Sequence, residues 1–477
     1  MLLLRSRPFL GASMRSSASR LFSPLYSRFS STTPISSLGK PKSDPLRILF
    51  CGSDLFSSSS LTALWDEMQN QNLSKENRLI ESIDVMVRPP KPTGRGNRSL
   101  IKAPVHVQAE SLQLPVHIRD TFTGWDLPPH INLIIAVSFG LFVPKRILSQ
   151  TKYGGLNVHP SLLPDLRGPA PIHHAILNNY THTGVTIQTL STEAFDHGTV
   201  LSQTSPNEIR IQPDDTFTTV RDYMATKGAE MLLHVLKTNR HVPPYLDVSH
   251  HFKVIHHAPK TLTKDRQVDW LVSDPPLPKL ASQPASARIY NQYRSLGTLW
   301  THSRLHGLTE NTKYPLTKGG YQRLQLTGVS VPSDPNLTFE EAIGHNTKKK
   351  NEDEPFSQLA SLLEEEDRWN VIDWAQQTGR GGEFRFIPAR WAPNPNAEMP
   401  GQIAVEIPPN HKQTLSSDRP SLIYIDSIKV AGEAAKYAAD VASKFGRRRM
   451  KLSELRKLQA VHLGIRKVWD SPGAVDK

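Results

Sequence analysis

Residues 156–171 read LNVHPSLLPDLRGPAP, and the interpretation of the whole chain begins at this stretch. The apolar run INLIIAVSFG (131–140) stands before it and predicts a buried strand, and PIHHAILNN (171–179) continues it with helical spacing. The stretch therefore lies where a strand passes into a loop, a frequent place for chemistry in open α/β sheets. Its two polar residues at the strand end, Asn157 and His159, could have either a catalytic or a structural role.

Strand and helix patterns alternate between residues 46 and 239. The strand-like runs are RILFCGSD, IESIDVMV, LPVHIRD, INLIIAVSFG, GGLNVH and HTGVTIQTLS, and the helix-like runs include SSSSLTALWDEMQN, APVHVQAESL, PIHHAILNN and DDTFTTVRDYMATKGAEMLLHVLKTN. This alternation predicts an α/β fold with a mostly parallel sheet covered by helices. No GxGxxG motif follows the first strand, so a dinucleotide site has no support.

Composition limits the classes of protein and site that need consideration. The 477 residues predict two domains. Lys and Arg number 57 against 44 Asp and Glu, and the formal net charge of +13 suits a polyanionic partner or simply a basic surface. The single cysteine, Cys51, excludes an intramolecular disulfide and a cysteine-rich zinc site, and we expect it to be a small buried residue. No apolar run approaches the ~20 residues of a membrane span, so we expect no membrane insertion.

The first 45 residues differ from the rest of the chain. They contain many serines, interspersed apolar residues and no acidic residue before Asp44. Their arginines are spread through the segment at positions 5, 7, 15, 20 and 28. An Arg-rich, Ser-rich, acid-free leader is typical of an organelle transit peptide, and the spread of arginines favours mitochondria over plastids. The alternative is an ordinary disordered tail.

The remainder is divided by composition into three regions. We predict an α/β domain over 46–245, a Pro-rich and Lys-rich linker over 246–285, and a small OB-like β-barrel domain over 286–477. Four β-like runs separated by Pro, Gly and Asn turns favour the barrel: YQRLQLTGVSV, EFRFIPARW, GQIAVEI and SLIYIDSIKV. The stretch 348–366 is a charged insertion, and the basic segment 433–458 has helical character.

Three polar residues could act together at the end of the quoted strand. Because positions i and i+2 of a strand point to the same side, GLNVH presents Asn157 and His159 together and turns Val158 into the sheet. An amide and an imidazole aimed at one point can hold the oxyanion of a tetrahedral intermediate. Asp196 lies in the turn TEAFDHGTV, where a carboxylate beside His159 would stabilise a charged imidazole and help to move a proton through water. Taken singly, a strand-end histidine is more often structural, and an aspartate in a turn is usually a cap.

The order Asn-x-His, then SLLP, then Asp-x-Gly is more specific than any one of its members. The segments LNVHPSLLPDLRGPAPIHHAI, HTGVTIQTL and FDHGTVLSQ resemble the folate-dependent formyltransferases, which transfer a formyl group from N10 of 10-formyltetrahydrofolate to an amine. The resemblance implies a Rossmann-like catalytic domain, in agreement with the alternation, and no metal. It also implies catalytic roles for Asn157, His159 and Asp196 and folate contacts for Ser161, Leu162, Leu163 and Pro164.

The acceptor amine is suggested by the basic loop RPPKPTGRGNRSLIK (88–102). A charge run is usually only a solvated face, but this loop is similar to the insertion of the methionyl-tRNA branch of that family, in which a PxGRG turn precedes a Pro-Val pair. KTLTKDRQVDW and MPGQIAV resemble the linker and a barrel turn of the same branch. The resemblance implies tRNA contacts on this loop, and the charge of the tail suggests others. We predict nucleic-acid contacts at Arg95, Arg98, Lys102, Arg447, Arg448 and Arg449.

The resemblance implies formylation of methionyl initiator tRNA, with 10-formyltetrahydrofolate as co-substrate. The leader predicts a location in the mitochondrial matrix, and we expect a monomer. Two alternatives stay open from the sequence. One is a formyltransferase that acts on a small amine, against which the basic loop and the additional domain argue. The other is a catalytically inactive RNA-binding protein of the mitochondrion, against which the intact Asn157, His159 and Asp196 argue.

Overall fold

The described part of the chain covers most of the α/β region and the strands of the C-terminal region. The structure, a computed structural model, describes residues 42–70, 78–93, 99–252, 254–270, 283–304, 321–334, 337–342, 368–378, 383–394, 401–407, 421–430, 433–445, 448–451, 454–455 and 458. Nearly all of the leader predicted over 1–45, and the whole charged insertion predicted over 348–366, lie outside these residues.

The α/β region contains eleven strands among the described residues: β1 (Leu46–Gly52), β2 (Ile80–Val87), β3 (Lys91–Thr93), β4 (Ser99–Ile101), β5 (Val116–Ile118), β6 (Leu133–Val137), β7 (Gly155–His159), β8 (His182–Thr183), β9 (Thr186–Thr189), β10 (Val200–Gln203) and β11 (Ile209–Arg210). Seven of them form one sheet in the order β10-β9-β7-β6-β1-β2-β5. All its pairs are parallel except β7 with β9 and β9 with β10. The predicted mostly parallel sheet is therefore confirmed.

Helices and loops cover both faces of this sheet. The helices are α1 (Leu55–Gln69), α2 (Pro104–Ser111), α3 (Lys145–Leu148), α4 (Pro171–Leu177) and α5 (Phe217–Lys237). Because side chains alternate along β1, Phe50 joins the core cluster that α1 and α5 cover, whereas Cys51 joins a second cluster on the other face with Trp125 and Ile147. Burial raises the pKa of the Cys51 thiol, as fits the small core residue that the sequence predicts.

The chain between α5 and the C-terminal region runs along the α/β region and then forms helix α6 (Ala285–Leu296), after a 3-10 turn at Thr263–Arg266. Helix α6 packs against α4 through His173, whose Nδ1 donates to the Ser295 carbonyl at 2.9 Å and whose ring stacks on Phe217 at 4.0 Å between centroids. Burial lowers the pKa of His173, which keeps this ring neutral. Arg294 of α6 donates to the backbone carbonyls of Gln212 and Asp215. These contacts attach α6 firmly to the α/β region.

The C-terminal region forms an antiparallel barrel. Its elements are β12 (Leu299–Arg304), β13 (Tyr321–Ser330), α7 (Phe339–Ala342), β14 (Arg368–Thr378), β15 (Glu383–Pro393), β16 (Ile403–Ile407), β17 (Ser421–Val430), β18 (Ala435–Tyr437), α8 (Ala438–Phe445) and β19 (Arg448–Lys451). Strands pair in the order β12-β13-β17-β16-β15-β14, and β12 also pairs with β14, which closes the ring. Inside, Trp270 stacks on Trp374 with 4.8 Å between ring centroids.

The basic tail differs from its prediction. The sequence predicts a helix over 433–458, but among the described residues of that range only Ala438–Phe445 is an α-helix of more than one turn, and strands β18 and β19 flank it. Strand β19 pairs with β14, which buries Met450 with Val371 and leaves Arg449 exposed. Exposed Arg449 and buried Met450 follow the two-residue period of a strand. The positive charges around Met450 obscure this period in the sequence.

Among the residues that the structure describes, no helix has both the length and the apolar character needed to cross a membrane.

Candidate active site

Asn157 and His159 occupy the carboxyl end of β7, as the strand period predicts. Their cross-strand partners on β9 are Gln188 and Thr186, so polar residues of two adjacent strands share one side of the sheet end. Val158 between them is buried in the core. The His159 ring is also nearly inaccessible, with 5% of the residue exposed, while Asn157 is half-buried.

Asp196 brings the three predicted catalytic residues together. Its Oδ1 atom lies 3.3 Å from Asn157 Nδ2, 3.3 Å from His159 Nδ1 and 3.3 Å from Gln188 Nε2. Its Oδ2 atom accepts the backbone N–H of Gly168 at 3.0 Å. One carboxylate is thus surrounded by an imidazole and three N–H donors, in the loop that joins β9 to β10.

These neighbours determine the charge of Asp196. Burial by itself would raise the pKa of the carboxyl group, but the His159 ring, the Gly168 N–H and the Gln188 amide outweigh burial and hold the pKa below its ordinary value. Asp196 is therefore a carboxylate at neutral pH. Its Oδ1 atom faces Nδ1 of the His159 ring.

The loop after β7 orients the imidazole from the other side. His159 Nε2 lies 3.2 Å from the carbonyl oxygen of Leu166, which can only accept, so Nε2 carries a proton. Leu166 has φ of 58°, an uncommon backbone conformation for a residue other than glycine. Arg167 Nε donates to the Asp196 carbonyl oxygen at 2.9 Å. The loop therefore orients the His159 ring and holds the backbone of Asp196 in place.

The predicted folate loop forms a buried wall beside this cluster. The Ser161 hydroxyl donates to the carbonyl of Asp165 at 2.7 Å, and the Leu163 N–H donates to Thr186 Oγ1 at 3.1 Å. Leu162 is buried as well, and Pro164 is half-buried. The polar groups of Ser161 and Leu163 are thus used inside the protein, which leaves apolar surface as the means by which this loop could contact a ligand.

An aromatic pair lies next to Asp196 and was not singled out from the sequence. Phe195 is 57% exposed and contacts Phe142 edge to face, with 5.2 Å between ring centroids. Phe142 also lines an open cleft of about 290 Å³ together with Leu141, Pro144 and Arg146. A partly exposed aromatic surface of this kind can accommodate a flat ring system.

Sequence reasoning also missed Gln188, Leu166 and Gly168. Gln188 carried a signal, because it lies two positions after Thr186 in the strand-like run VTIQTL, so both side chains point to the same side of the strand. Leu166 and Gly168 contribute only backbone groups, which no side-chain pattern can reveal.

The predicted nucleic-acid residues are only partly described. Arg95, Arg98 and Arg447 lie outside the described residues, as does the side chain of Arg448. The described ends of the basic loop form the exposed hairpin β3–β4, and Lys102 follows it with its ammonium 2.7 Å from Glu110. Arg449 is exposed on β19. The structure does not bring Lys102 or Arg449 into the cluster around Asp196.

A second basic surface lies where the connecting chain meets the barrel. Arg266, Arg323 and Trp300 line an open cleft of about 340 Å³ with Thr263 and Gln325. The guanidinium of Arg323 lies 4.3 Å from the centre of the Trp300 ring. Sequence reasoning did not identify this surface, because its residues come from segments that are distant in the chain. Among the described residues, no group of three or more His, Cys, Asp or Glu side chains is arranged to hold a metal ion.

Sequence comparisons identify relatives of this chain among known proteins. A family model described as "Formyl transferase" matches residues 46–236. The methionyl-tRNA formyltransferase of Ehrlichia chaffeensis is 37% identical over 206 residues, which cover 42% of this chain and 63% of the relative. The mitochondrial methionyl-tRNA formyltransferase of Saccharomyces cerevisiae is 31% identical over 300 residues, 56% of this chain and 71% of the relative. That of Bos taurus is 32% identical over 265 residues, 54% of this chain and 60% of the relative. The match thus spans somewhat less than two thirds of the bacterial and bovine relatives.

Proposed function

Because this chain belongs to the methionyl-tRNA formyltransferase family, we propose that it transfers the formyl group of 10-formyltetrahydrofolate to the α-amine of methionine on initiator tRNA. The observation that supports this most is the convergence of Asn157, His159 and Gln188 on one oxygen of Asp196 at the carboxyl end of β7. Acyl transfer to an amine requires donors for an oxyanion and a group that moves protons, and amide and imidazole side chains gathered at one strand end can supply both.

In the proposed reaction, the α-amine attacks the formyl carbon, and a C–N bond forms as the carbonyl oxygen becomes an oxyanion. The Asn157 amide and the His159 imidazole stabilise that charge. The attacking nitrogen loses a proton, N10 of the folate gains one, and the C–N10 bond breaks to release tetrahydrofolate. Asp196 remains a carboxylate throughout, since its pKa is held low, and its Oδ1 atom holds the His159 ring in position while protons move.

The donor is proposed to bind on the Phe142 and Phe195 side of the cluster. An edge-to-face aromatic pair with one ring mostly exposed provides apolar contact for the fused rings of a folate. The predicted contacts at Ser161, Leu162, Leu163 and Pro164 stay a proposal, and the buried hydroxyl of Ser161 favours an apolar wall rather than a hydrogen bond from that side chain.

The tRNA is proposed to contact the basic loop and the barrel. Arg95 and Arg98 at the loop tip would contact phosphates near the acceptor end, and Arg447, Arg448 and Arg449 would contact phosphates further away. Lys102 has its charge balanced by Glu110, so its contribution is proposed to be smaller. The net charge of +13 is consistent with a polyanionic partner.

The leader over 1–45 is proposed to direct the protein to the mitochondrial matrix, where it would act as a monomer. A fusion of these residues to a fluorescent protein should enter mitochondria, and replacement of its five arginines by glutamine should prevent entry. A cytosolic distribution of the unmodified fusion would contradict the proposal.

The identity of the acceptor amine is tested by comparing several amines with the same formyl donor. Purified protein is supplied with 10-formyltetrahydrofolate and with charged initiator tRNA, free methionine or an amino sugar. We expect kcat/KM for the charged tRNA to exceed that of either small amine by at least about a thousandfold, since only the tRNA can use binding energy remote from the amine. A small amine that reacts as well as the tRNA would assign the enzyme to a different acceptor.

A further inference from the structure

We propose that Asp165, Tyr180 and His256 form a clamp through which the chain leading to the barrel holds the catalytic loop, and that this clamp positions His159 and Asp196 for formyl transfer. The inference rests on the proposed function for its kinetic part. Asp165 lies in the loop after β7, Tyr180 follows α4, and His256 belongs to the connecting chain. None of the three touches Asp196, so they are positioning residues rather than catalytic ones.

The clamp is a set of hydrogen bonds around a buried carboxylate. Asp165 is only 8% exposed. Its Oδ2 accepts the Tyr180 hydroxyl at 2.9 Å, and its Oδ1 accepts the His256 backbone N–H at 2.7 Å. Tyr180 has one proton to donate and gives it to Asp165, so the His256 Nδ1 atom, 2.8 Å from the Tyr180 oxygen, is the donor in that contact. Burial and the charge of Asp165 raise the pKa of Tyr180, which keeps its hydroxyl protonated.

The clamp fastens two stretches of backbone side by side. The Leu166 N–H donates to the His256 carbonyl at 2.8 Å, and the Ala258 N–H donates to the Arg167 carbonyl at 2.8 Å. Arg167 and His257 form a parallel bridge. Gly168 lies so close to Ala258 that a Cβ atom on it would stand 2.5 Å from the Ala258 carbonyl oxygen. The connecting chain thus lies directly on the catalytic loop.

The same loop residues contact the catalytic cluster with their remaining groups. The Leu166 carbonyl faces His159 Nε2, the Gly168 N–H donates to Asp196 Oδ2, and Arg167 Nε donates to the Asp196 carbonyl. Leu166 holds the uncommon left-handed conformation, which persists only where neighbouring contacts enforce it. His256 supplies one such contact on the opposite side of Leu166 from His159. Loosening of the clamp is therefore transmitted to the imidazole through a single residue.

The fold does not depend on the clamp alone, so substitutions in it can be studied in folded protein. The connecting chain is also held by His174, whose Nε2 donates to the Pro259 carbonyl at 2.9 Å, and by α6 against α4. The variants are Tyr180→Phe, Asp165→Ala and Asp165→Asn. The matched control is Tyr245→Phe, which removes another part-buried tyrosine hydroxyl, bound to the Tyr153 carbonyl away from the cluster.

Two measurements are made on each variant in the full chain. Steady-state kinetics with 10-formyltetrahydrofolate and charged initiator tRNA should show kcat reduced about 10- to 100-fold in Asp165→Ala, as a small displacement of catalytic groups does, with both KM values changed less than about twofold. In Tyr180→Phe, kcat should fall about 3- to 10-fold, which is the effect of losing one hydrogen bond. Asp165→Asn keeps an acceptor for the His256 N–H and should recover part of the loss. The control should match the parent.

Hydrogen exchange followed by mass spectrometry measures the loop without requiring activity. Peptides that contain residues 166–170 and 256–258 should exchange at least about tenfold faster in Asp165→Ala than in the parent, and the control should not change. Parent-like exchange in Asp165→Ala, parent-like kcat, or a rise in KM alone would each overturn the clamp. If the parent itself transferred no formyl group, the proposed function would fail, and the exchange rates would still decide whether the clamp holds the loop.

Discussion

Asp196 has φ of 58°, so the residue at the centre of the cluster holds a backbone conformation that side-chain-bearing residues rarely adopt. Such strain persists when surrounding contacts enforce it, and here four contacts converge on the carboxylate. Two of them come from facing residues of adjacent strands, Asn157 and Gln188. The cluster therefore depends on the pairing register of β7 with β9 as well as on which residues occupy the paired positions.

The low pKa of Asp196 makes a testable contribution to stability. A carboxyl group whose pKa is lower in the folded than in the unfolded protein stabilises the fold above its ordinary value of 3.8, and that contribution is lost as the pH falls through the folded value. We expect Asp196→Asn to lower the thermal unfolding midpoint at pH 7, and the difference from the parent to shrink at pH 3. Calorimetry at both pH values measures this. An equal difference at both would show that the charge of Asp196 does not stabilise the fold.

Sequence reasoning worked at this scale where side chains carried the signal. The spacing of Asn157 and His159 predicted a shared face, and the structure places both beside Asp196. It missed Leu166 and Gly168, which act through backbone atoms. The catalytic and folate-binding roles themselves stay predictions.

At the scale of elements, the turn between β9 and β10 carries Asp196 back across the end of β7. Gly198 allows this turn, because a Cβ atom there would collide with the carbonyl oxygen of Thr189 on β9. Its N–H also donates to Gln188 Oε1 at 3.1 Å. The close approach of turn and strand sets how far Asp196 reaches toward His159.

We therefore expect Gly198→Ala to displace the turn and to lower kcat about 10- to 100-fold, since small displacements of catalytic groups are costly. The exposed residue Thr192 in the same turn provides the control, and Thr192→Ala should retain parent-like kcat. Formyl-transfer kinetics of the two variants make the comparison. Parent-like turnover in Gly198→Ala would show that the turn adapts and that its tight packing has no catalytic consequence.

Element types were predictable from periodicity in the α/β region, where long apolar strands alternate with helices. The error in the basic tail has a physical cause, because β19 is held by pairing with β14, a strand about 80 residues earlier in the chain. Closure of the barrel by β12 and β14 is likewise a long-range pairing that local patterns do not encode. The sequence thus predicted four of the barrel strands, β13, β15, β16 and β17, but neither β12 and β14 nor the order of pairing.

At the scale of the whole molecule, the catalytic cluster and the barrel are joined by α6 and by the connecting chain. His173 and Arg294 attach α6 to the α/β region, and the clamp attaches the connecting chain to the catalytic loop. The predicted phosphate contacts of the two regions can be separated by salt dependence.

Replacement of Arg447, Arg448 and Arg449 by glutamine should weaken tRNA binding and reduce the slope of log K against log salt by about 2 to 3, if each arginine neutralises one phosphate. The kcat at saturating tRNA should remain within about twofold of the parent. The control is Lys237→Gln on α5, whose ammonium pairs with Glu67, and it should leave the slope unchanged. Filter binding at several salt concentrations measures the slope. An unchanged slope in the triple variant would make these charges an ordinary solvated surface.

The most direct test of the central claim is single-turnover transfer of a labelled formyl group from 10-formyltetrahydrofolate to charged initiator tRNA, by the parent and Asn157→Ala in parallel. The parent should place the label on the α-amine of methionine. Asn157→Ala should be slower by about 100- to 1,000-fold, the usual loss for one oxyanion donor, while donor affinity stays within about twofold. Absence of label on the methionine in the parent reaction, or parent-like transfer by Asn157→Ala, would contradict the account.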